Sequence, residues 1–257
     1  MLLTVDIGNT QATIGLFDDA GTIVKSWRLA TNHADTSDML HAWLTTYFQK
    51  DGLDIACVTD AAVASVVPAL TRAWNRCLQK LLGTSPLIVS ADQDYGMPVE
   101  MPYPSQVGAD RIANAIGGIV TYGAPVIVVD FGTATNIDVV DEKGAYRGGT
   151  IAPGLMLSAE ALFSRAAKLS SVPVKAPEHA LGTTTETAMQ SGLVIGAAAQ
   201  AEGLVSRIKA ELNIHEAKVV GTGGLARTVA CATDLFDAVD PELTLRGIRE
   251  IWLRAQA

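Results

Sequence analysis

Two short runs hold the residues best suited to chemistry: Asp6-Ile7-Gly8-Asn9-Thr10 and Asp130-Phe131-Gly132-Thr133. Each sets an aspartate at the end of an apolar stretch and follows it with glycine and a hydroxyl or amide side chain. Glycine lets the backbone approach a ligand closely, and the polar side chains donate hydrogen bonds to phosphate oxygens. The aspartate suits a metal ion, held directly or through water, that neutralises those oxygens. One such loop alone reads as ordinary Asp-Gly hairpin chemistry. Its recurrence 124 residues later, close to half of a 257-residue chain, favours two lobes that each present a phosphate-binding tip and face one another around a nucleotide.

A third glycine-rich run, Gly221-Thr222-Gly223-Gly224-Leu225-Ala226, satisfies the G-x-G-x-x-G/A pattern between a strand and a helix. Asp240 even lies about where a ribose-binding acid would be sought. A dinucleotide fold needs further strands, however, and only about 30 residues follow. Gly221 and Gly223 are therefore assigned to the nucleoside side of the clamp. No Gly-Lys pair occurs anywhere, which excludes a P-loop. Gly108-Ala109-Asp110-Arg111 opens a helix, where the field of the N-terminus lowers the Asp110 pKa unless burial opposes it. Beside a nucleotide, Asp110 becomes a candidate general base for a substrate hydroxyl, and Arg111 a fork for a carboxylate or phosphate.

These groups need a scaffold, and the apolar periodicity supplies one. A buried strand over 2–6, a partner over 12–17 and a third over 22–29 form a meander, which recurs over 125–130, 137–140 and near Tyr146. Helices are expected from Thr36, with Met39, Leu40, Trp43, Leu44 and Phe48 on its apolar face, over 70–82 ending at Gly83, and over 154–169. A long Ala-rich helix over 185–212, a strand over 217–220 and a terminal helix from Leu243 complete the second half. The architecture is α/β and duplicated, with lobes at 1–117, carrying the first phosphate loop, and 118–257, carrying the second loop and the nucleoside loop.

Composition bounds the reading. Hydrophobic residues make up 49% and charged residues 18%, which excludes disorder. A net charge of -8 repels nucleic-acid backbones. No apolar run is long enough to span a membrane. Cys57, Cys77 and Cys231 form neither a disulfide framework nor a zinc pattern and fit a reducing cytoplasm. His33, His41, His179 and His215 have no second ligand at metal spacing, and Trp43, Trp74 and Trp252 read as core or interface residues. Ala197–Ala201 permits close helix packing and is expected to form part of a subunit interface.

Together, the motifs Asp6–Thr10, Gly108–Arg111, Asp130–Thr135, Gly148–Gly154 and Leu243–Gly247 resemble those of the type III pantothenate kinases, with matches spread from end to end. The resemblance implies a duplicated actin-like (ribonuclease H-like) two-lobe ATPase fold. It also implies a cytoplasmic homodimer that transfers the ATP γ-phosphate to the 4′-hydroxyl of pantothenate, the first step of coenzyme A biosynthesis, with Mg²⁺ and activation by K⁺ or NH₄⁺. Position by position, Asp6, Ile7, Gly8, Asn9, Thr10, Gln11, Ala12 and Thr13 would bind ATP, with Asp6 near Mg²⁺, and Thr133 would touch it from the second loop. Asp110 would accept the proton. Tyr103, Val107, Gly108, Ala109, Asp110, Arg111 and Thr185 would surround pantothenate, and Asp130 would serve the monovalent cation. Three positions depart from the family pattern: Gln11 where Asn is common, Asn136 where Thr is common, and Thr184 where Asn is usual. A kinase of another small hydroxy acid, or a nucleotide-binding regulator without turnover, remains the alternative reading.

Overall fold

Leu2, Leu3, Val5 and Ile7 are buried, as a strand covered on both faces requires. They lie in β1 (Leu2–Ile7), antiparallel to β2 (Gln11–Phe17), which is in turn antiparallel to β3 (Ile23–Ala30). Thr36 accepts a hydrogen bond from the Met39 N–H at 3.3 Å and caps α1 (Ser37–Lys50). β4 (Asp60–Ser65) runs parallel to β1. Pro68 then occupies the first turn of α2 (Pro68–Leu82), which ends at Gly83 in the left-handed region, φ 73°. β5 (Leu87–Ile88) lies parallel to β4, and α3 (Ala109–Tyr122) follows. The computed structural model describes residues 1–165 and 171–256.

The meander recurs as β6 (Val126–Phe131), β7 (Ala134–Val140) and β8 (Tyr146–Pro153). Next comes α4 (Leu155–Arg165); the rest of the helix expected to residue 169 lies outside the described residues. The long Ala-rich helix is α5 (Thr185–Gln190) and α6 (Gly196–Leu212), joined by a π-helical turn over Ser191–Ile195. β9 (Lys218–Thr222), α7 (Ala226–Ala230), β10 (Ala238–Val239) and α8 (Leu243–Ala255) close the chain. β10, too short to leave a periodic signal, pairs parallel with β9. The two sheets have the same plan: β3-β2-β1-β4-β5, and β8-β7-β6-β9-β10.

Two compact units contain these sheets. The first takes Met1–Gly96, Pro102–Gly117 and Thr244–Ala257; the second takes Met97–Met101 and Gly118–Leu243. In the first, Leu3, Val5, Ile14 and Val63 pack on Leu40, Leu44 and Phe48 of α1 and Trp74 and Leu78 of α2. Each such side chain contributes roughly 1.5–3 kcal/mol on burial. Of the apolar positions expected on α1, Met39 and Trp43 are instead exposed, because the sheet covers only the stripe at 40, 44 and 48. Trp43 stacks on Tyr47, while Trp252 is half-buried against Leu2, Phe17 and Leu245. Thus α8, expected with the second sheet, packs on the first. In the second unit Ile127, Val129, Phe131 and Ile137 pack on Leu155, Val194, Val205 and Val229. Ala198 and Ala201 are buried in that same core, so the Ala-rich face serves internal packing. No helix among the described residues is long and apolar enough to cross a membrane.

Candidate active site

The first loop is the hairpin tip between β1 and β2. Gly8 N–H donates to the Gln11 carbonyl at 3.0 Å, and a side chain on Gly8 would lie 3.1 Å from that oxygen. Thr31 secures the tip from the end of β3: its hydroxyl donates to the Gly8 carbonyl at 2.7 Å and its N–H to the Thr10 carbonyl at 2.9 Å. Asn9, Thr10 and Gln11 are exposed, and Asp6 and Thr13 sit opposite each other, half-buried. Ile7 and Ala12 point into the core, which leaves only their backbone to meet a ligand. The Gln11 departure is explained by the turn, which uses its backbone and leaves the side chain in solvent.

The second loop repeats this geometry one residue shorter. Asp130 is the penultimate residue of β6, as Asp6 is of β1, and Gly132 N–H donates to the Ala134 carbonyl at 3.0 Å. Gly132 and Thr133 are exposed. Gly154, at the end of β8, holds the loop from below: its N–H donates to the Thr133 carbonyl at 3.1 Å, and a side chain there would overlap the carbonyl oxygens of Gly132 and Thr133. The motif Gly148–Gly154 thus ends in a seat for the second loop.

The third loop touches the second. Gly223 is left-handed at φ 89°, and a Cβ on it would overlap Asp130 Oδ1 and come within 2.8 Å of Phe131 backbone atoms. Only glycine fits there. Gly221 is buried, with its Cα facing the Phe236 ring, which meets Phe131 edge-on at 5.9 Å between centroids. A Cβ there would press on the Phe236 ring at 3.2 Å. Asp240 is also structural: its Oδ2 accepts from the Tyr122 hydroxyl at 3.1 Å and its Oδ1 from the Glu242 N–H at 3.0 Å.

Asp110 lies in the first turn of α3. Its Oδ1 accepts from the Arg111 N–H at 2.8 Å and folds back over Gly108, where a side chain would collide with it. Burial pushes the Asp110 pKa above the ordinary carboxylate value, against the opposing pull of the Arg111 N–H and guanidinium. The helix field foreseen from sequence is outweighed, because removal from water penalises the charged form more than the first turn favours it. Deeper in the same helix, Ala113 lies against Gly247 of α8, where a Cβ would collide with the Ala113 carbonyl, and the Thr244 hydroxyl donates to Asn114 Oδ1 at 2.7 Å. Nearby in sequence, Val107 and Ala109 are buried, Arg111 is half-buried, and Tyr103 is 67% exposed.

Thr185 is exposed at the start of α5, next to a capping box: Thr184 Oγ1 accepts from the Thr187 N–H at 3.1 Å, and the Thr187 hydroxyl accepts from the Thr184 N–H at 3.1 Å. Asn and Thr are both good N-caps, so the Thr184 departure preserves the local structure. Among the described residues no group of three or more His, Cys, Asp or Glu side chains converges to hold a metal. The lone carboxylate of Asp6 at a polar tip fits Mg²⁺, which usually takes one or two carboxylates, keeps several waters and completes its shell with substrate phosphates.

The model of the type III pantothenate kinase family matches residues 2–207. Over 255 residues the chain is 47% identical to a type III pantothenate kinase of Thermomicrobium roseum, covering 99% of this chain and 97% of that one. A type III pantothenate kinase of Agathobacter rectalis is 41% identical over 252 residues, with coverage of 98% and 96%. Among solved structures, the chain is similar to the activator of 2-hydroxyisocaproyl-CoA dehydratase from Clostridium difficile, with bound ADPNP, at TM-score 0.57, 13% identity and coverage of 99% and 94%. It is also similar to component A of (R)-2-hydroxyglutaryl-CoA dehydratase from Acidaminococcus fermentans, at TM-score 0.59, 14% identity and coverage of 99% and 98%. At these identities the structural likeness is one of fold, the duplicated actin-like ATPase architecture. On the family match and on the two relatives that share its full length, the chain belongs to the type III pantothenate kinase family.

Proposed function

We propose that this enzyme transfers the γ-phosphoryl group of ATP to the 4′-hydroxyl of pantothenate, opening coenzyme A synthesis. The observation that carries the reading is the 47% identity over 99% of the chain to a relative of that name. The recurrence of one hairpin loop at equivalent places in two sheets of identical order supports it.

Phosphoryl transfer asks the protein for alignment and charge stabilisation, and little covalent chemistry. In this reading the exposed tip Asn9–Gln11, with the backbone of Asp6–Thr13, holds the ATP phosphates, and Thr133, Gly221 and Gly223 are further ATP contacts. Asp6 holds Mg²⁺, which supplies positive charge to the transferring phosphoryl group when bound. Asp110 takes the proton from the substrate hydroxyl, and its raised pKa makes it a stronger base than an exposed aspartate. Arg111 offers two parallel donors to the substrate carboxylate, with Tyr103, the Val107–Ala109 turn and Thr185 as further contacts. Asp130 holds a monovalent cation, K⁺ or NH₄⁺.

We also propose a homodimer working in the cytoplasm. The test is steady-state ADP release with pantothenate and a panel of small hydroxy acids, with and without KCl. Turnover selective for pantothenate is expected. ATP binding with no ADP release in the presence of pantothenate, Mg²⁺ and K⁺ would replace the kinase reading with a nucleotide-binding regulator.

A further inference from the structure

We infer that Asn136 is a ligand of the monovalent cation at Asp130, to which it contributes its side-chain carbonyl oxygen. The inference rests on the reading of Asp130 given above and adds a residue to it. Asn136 is the direct cross-strand partner of Asp130 in the β6–β7 ladder. Such partners share a face of the sheet, with Cβ atoms about 4.5–5.5 Å apart. Asn136 Oδ1 is out of reach of solvent and has no hydrogen-bond partner among the described residues. A buried carbonyl in that condition is costly unless something positively charged or hydrogen-bonding meets it.

Beside the neighbouring carboxylate, a side chain is missing where it would intrude: a Cβ on Gly223 would overlap Asp130 Oδ1, whereas one on Gly132 would make only ordinary contact with it at 3.6 Å. Glycine at 223 keeps that oxygen clear of a side chain. The donor chemistry suits a singly charged ion: one carboxylate balances the charge, and a neutral carbonyl adds coordination without adding charge. K⁺ takes oxygen ligands, and NH₄⁺ donates hydrogen bonds to the same atoms. The departure from the family's threonine at this position exchanges one neutral oxygen for another with longer reach.

The experiment is thermal unfolding of the full chain as KCl replaces choline chloride at constant ionic strength, which reads cation binding without turnover. Wild type, Asn136→Leu, Asn136→Thr and Asp130→Asn are compared. Wild type and Asn136→Thr should rise in Tm with K⁺. Asn136→Leu should need about 10- to 100-fold more K⁺ for the same rise, the usual worth of one oxygen facing a charge, and Asp130→Asn should show no rise. Should leucine prevent folding, Asn136→Ala gives the same comparison. An Asn136→Leu midpoint equal to wild type, with the response lost in Asp130→Asn, overturns the inference and leaves Asp130 in place. A K⁺ response that survives in Asp130→Asn overturns the reading on which the inference stands.

Discussion

Gly154→Ala is the most direct probe of how the second hairpin loop, Gly132–Thr133, is held. The added methyl would overlap the Gly132 and Thr133 carbonyl oxygens and lie 2.7 Å from the Thr133 carbonyl carbon. All three are backbone atoms, so no rotamer change relieves the contact. Ordinary carbon–carbon approach is about 3.5–4.0 Å, so the loop and the start of α4 must separate by roughly 1 Å. Misplacement on that scale costs on the order of 100-fold in rate, equivalent to about 2.7 kcal/mol of barrier. Overpacking costs a further ~1–3 kcal/mol of stability, which lowers Tm by about 2–4 °C per kcal/mol in a chain of this size. The assay is steady-state ADP release, with ATP and pantothenate varied separately: kcat/KM for ATP should fall about 100-fold, with a smaller change in KM for pantothenate. Gly203→Ala is the control. That glycine is exposed within α6 with nothing inside 4 Å of a new Cβ, so alanine should leave the kinetics unchanged and stabilise the helix by ~0.5–1 kcal/mol. Wild-type kinetics and an unchanged Tm in Gly154→Ala would refute the seat assigned to this residue.

Asp110→Asn should lower kcat by roughly 10²- to 10⁴-fold with little change in KM for ATP, and an unchanged kcat would remove Asp110 from the role of base. Because burial raises its pKa, ionised Asp110 destabilises the fold; the penalty is absent below the unfolded pKa and complete above the folded one. Asp110→Asn should therefore unfold at a higher temperature than wild type at pH 7, a gain that vanishes in acid. Asp141 has the opposite sign. Burial alone would raise it, but Arg147 Nη1 at 2.9 Å and the N–H groups of Ala145 and Lys143 at 3.0 and 2.9 Å hold its pKa down. Its contribution is present above the usual carboxylate value of about 3.9 and fades as pH falls through the lowered folded value. Tm against pH for Asp141→Asn should accordingly be flatter in that acid range, and parallel curves would contradict the assignment. Burial pushes the Cys77 thiol up to about 11, whereas Cys231 is exposed. Ellman's reagent at pH 8 should modify Cys231 first and Cys77 only on unfolding; early reaction at Cys77 would show that the buried face of α2 opens readily.

Much of the scaffold was readable locally. Thr36 and Gly83 mark helix ends through chemistry confined to one turn, and the doubled meander shows in apolar runs followed by Asp, Gly and a hydroxyl or amide residue. These signals depend on neighbours within about four residues, and a sequence displays such neighbours directly. The family resemblance draws on the same loops, since backbone turns and close approaches constrain residue type in place.

What tertiary structure alone decided involves partners far apart in the chain. The terminal helix follows the second sheet yet buries Leu245 against Leu2 and Phe17 of the first. Asp110 sits in a helix field that favours its charge, but the packing around α3 withdraws water and reverses the shift. Asn136 lies opposite Asp130 only because β6 and β7 pair in that register, and Gly154 seats Thr133 from a strand some twenty residues on. Periodicity tells which face of a segment will be buried. It does not tell against what, because burial energy is non-directional and the surface that supplies it is assembled from the whole chain.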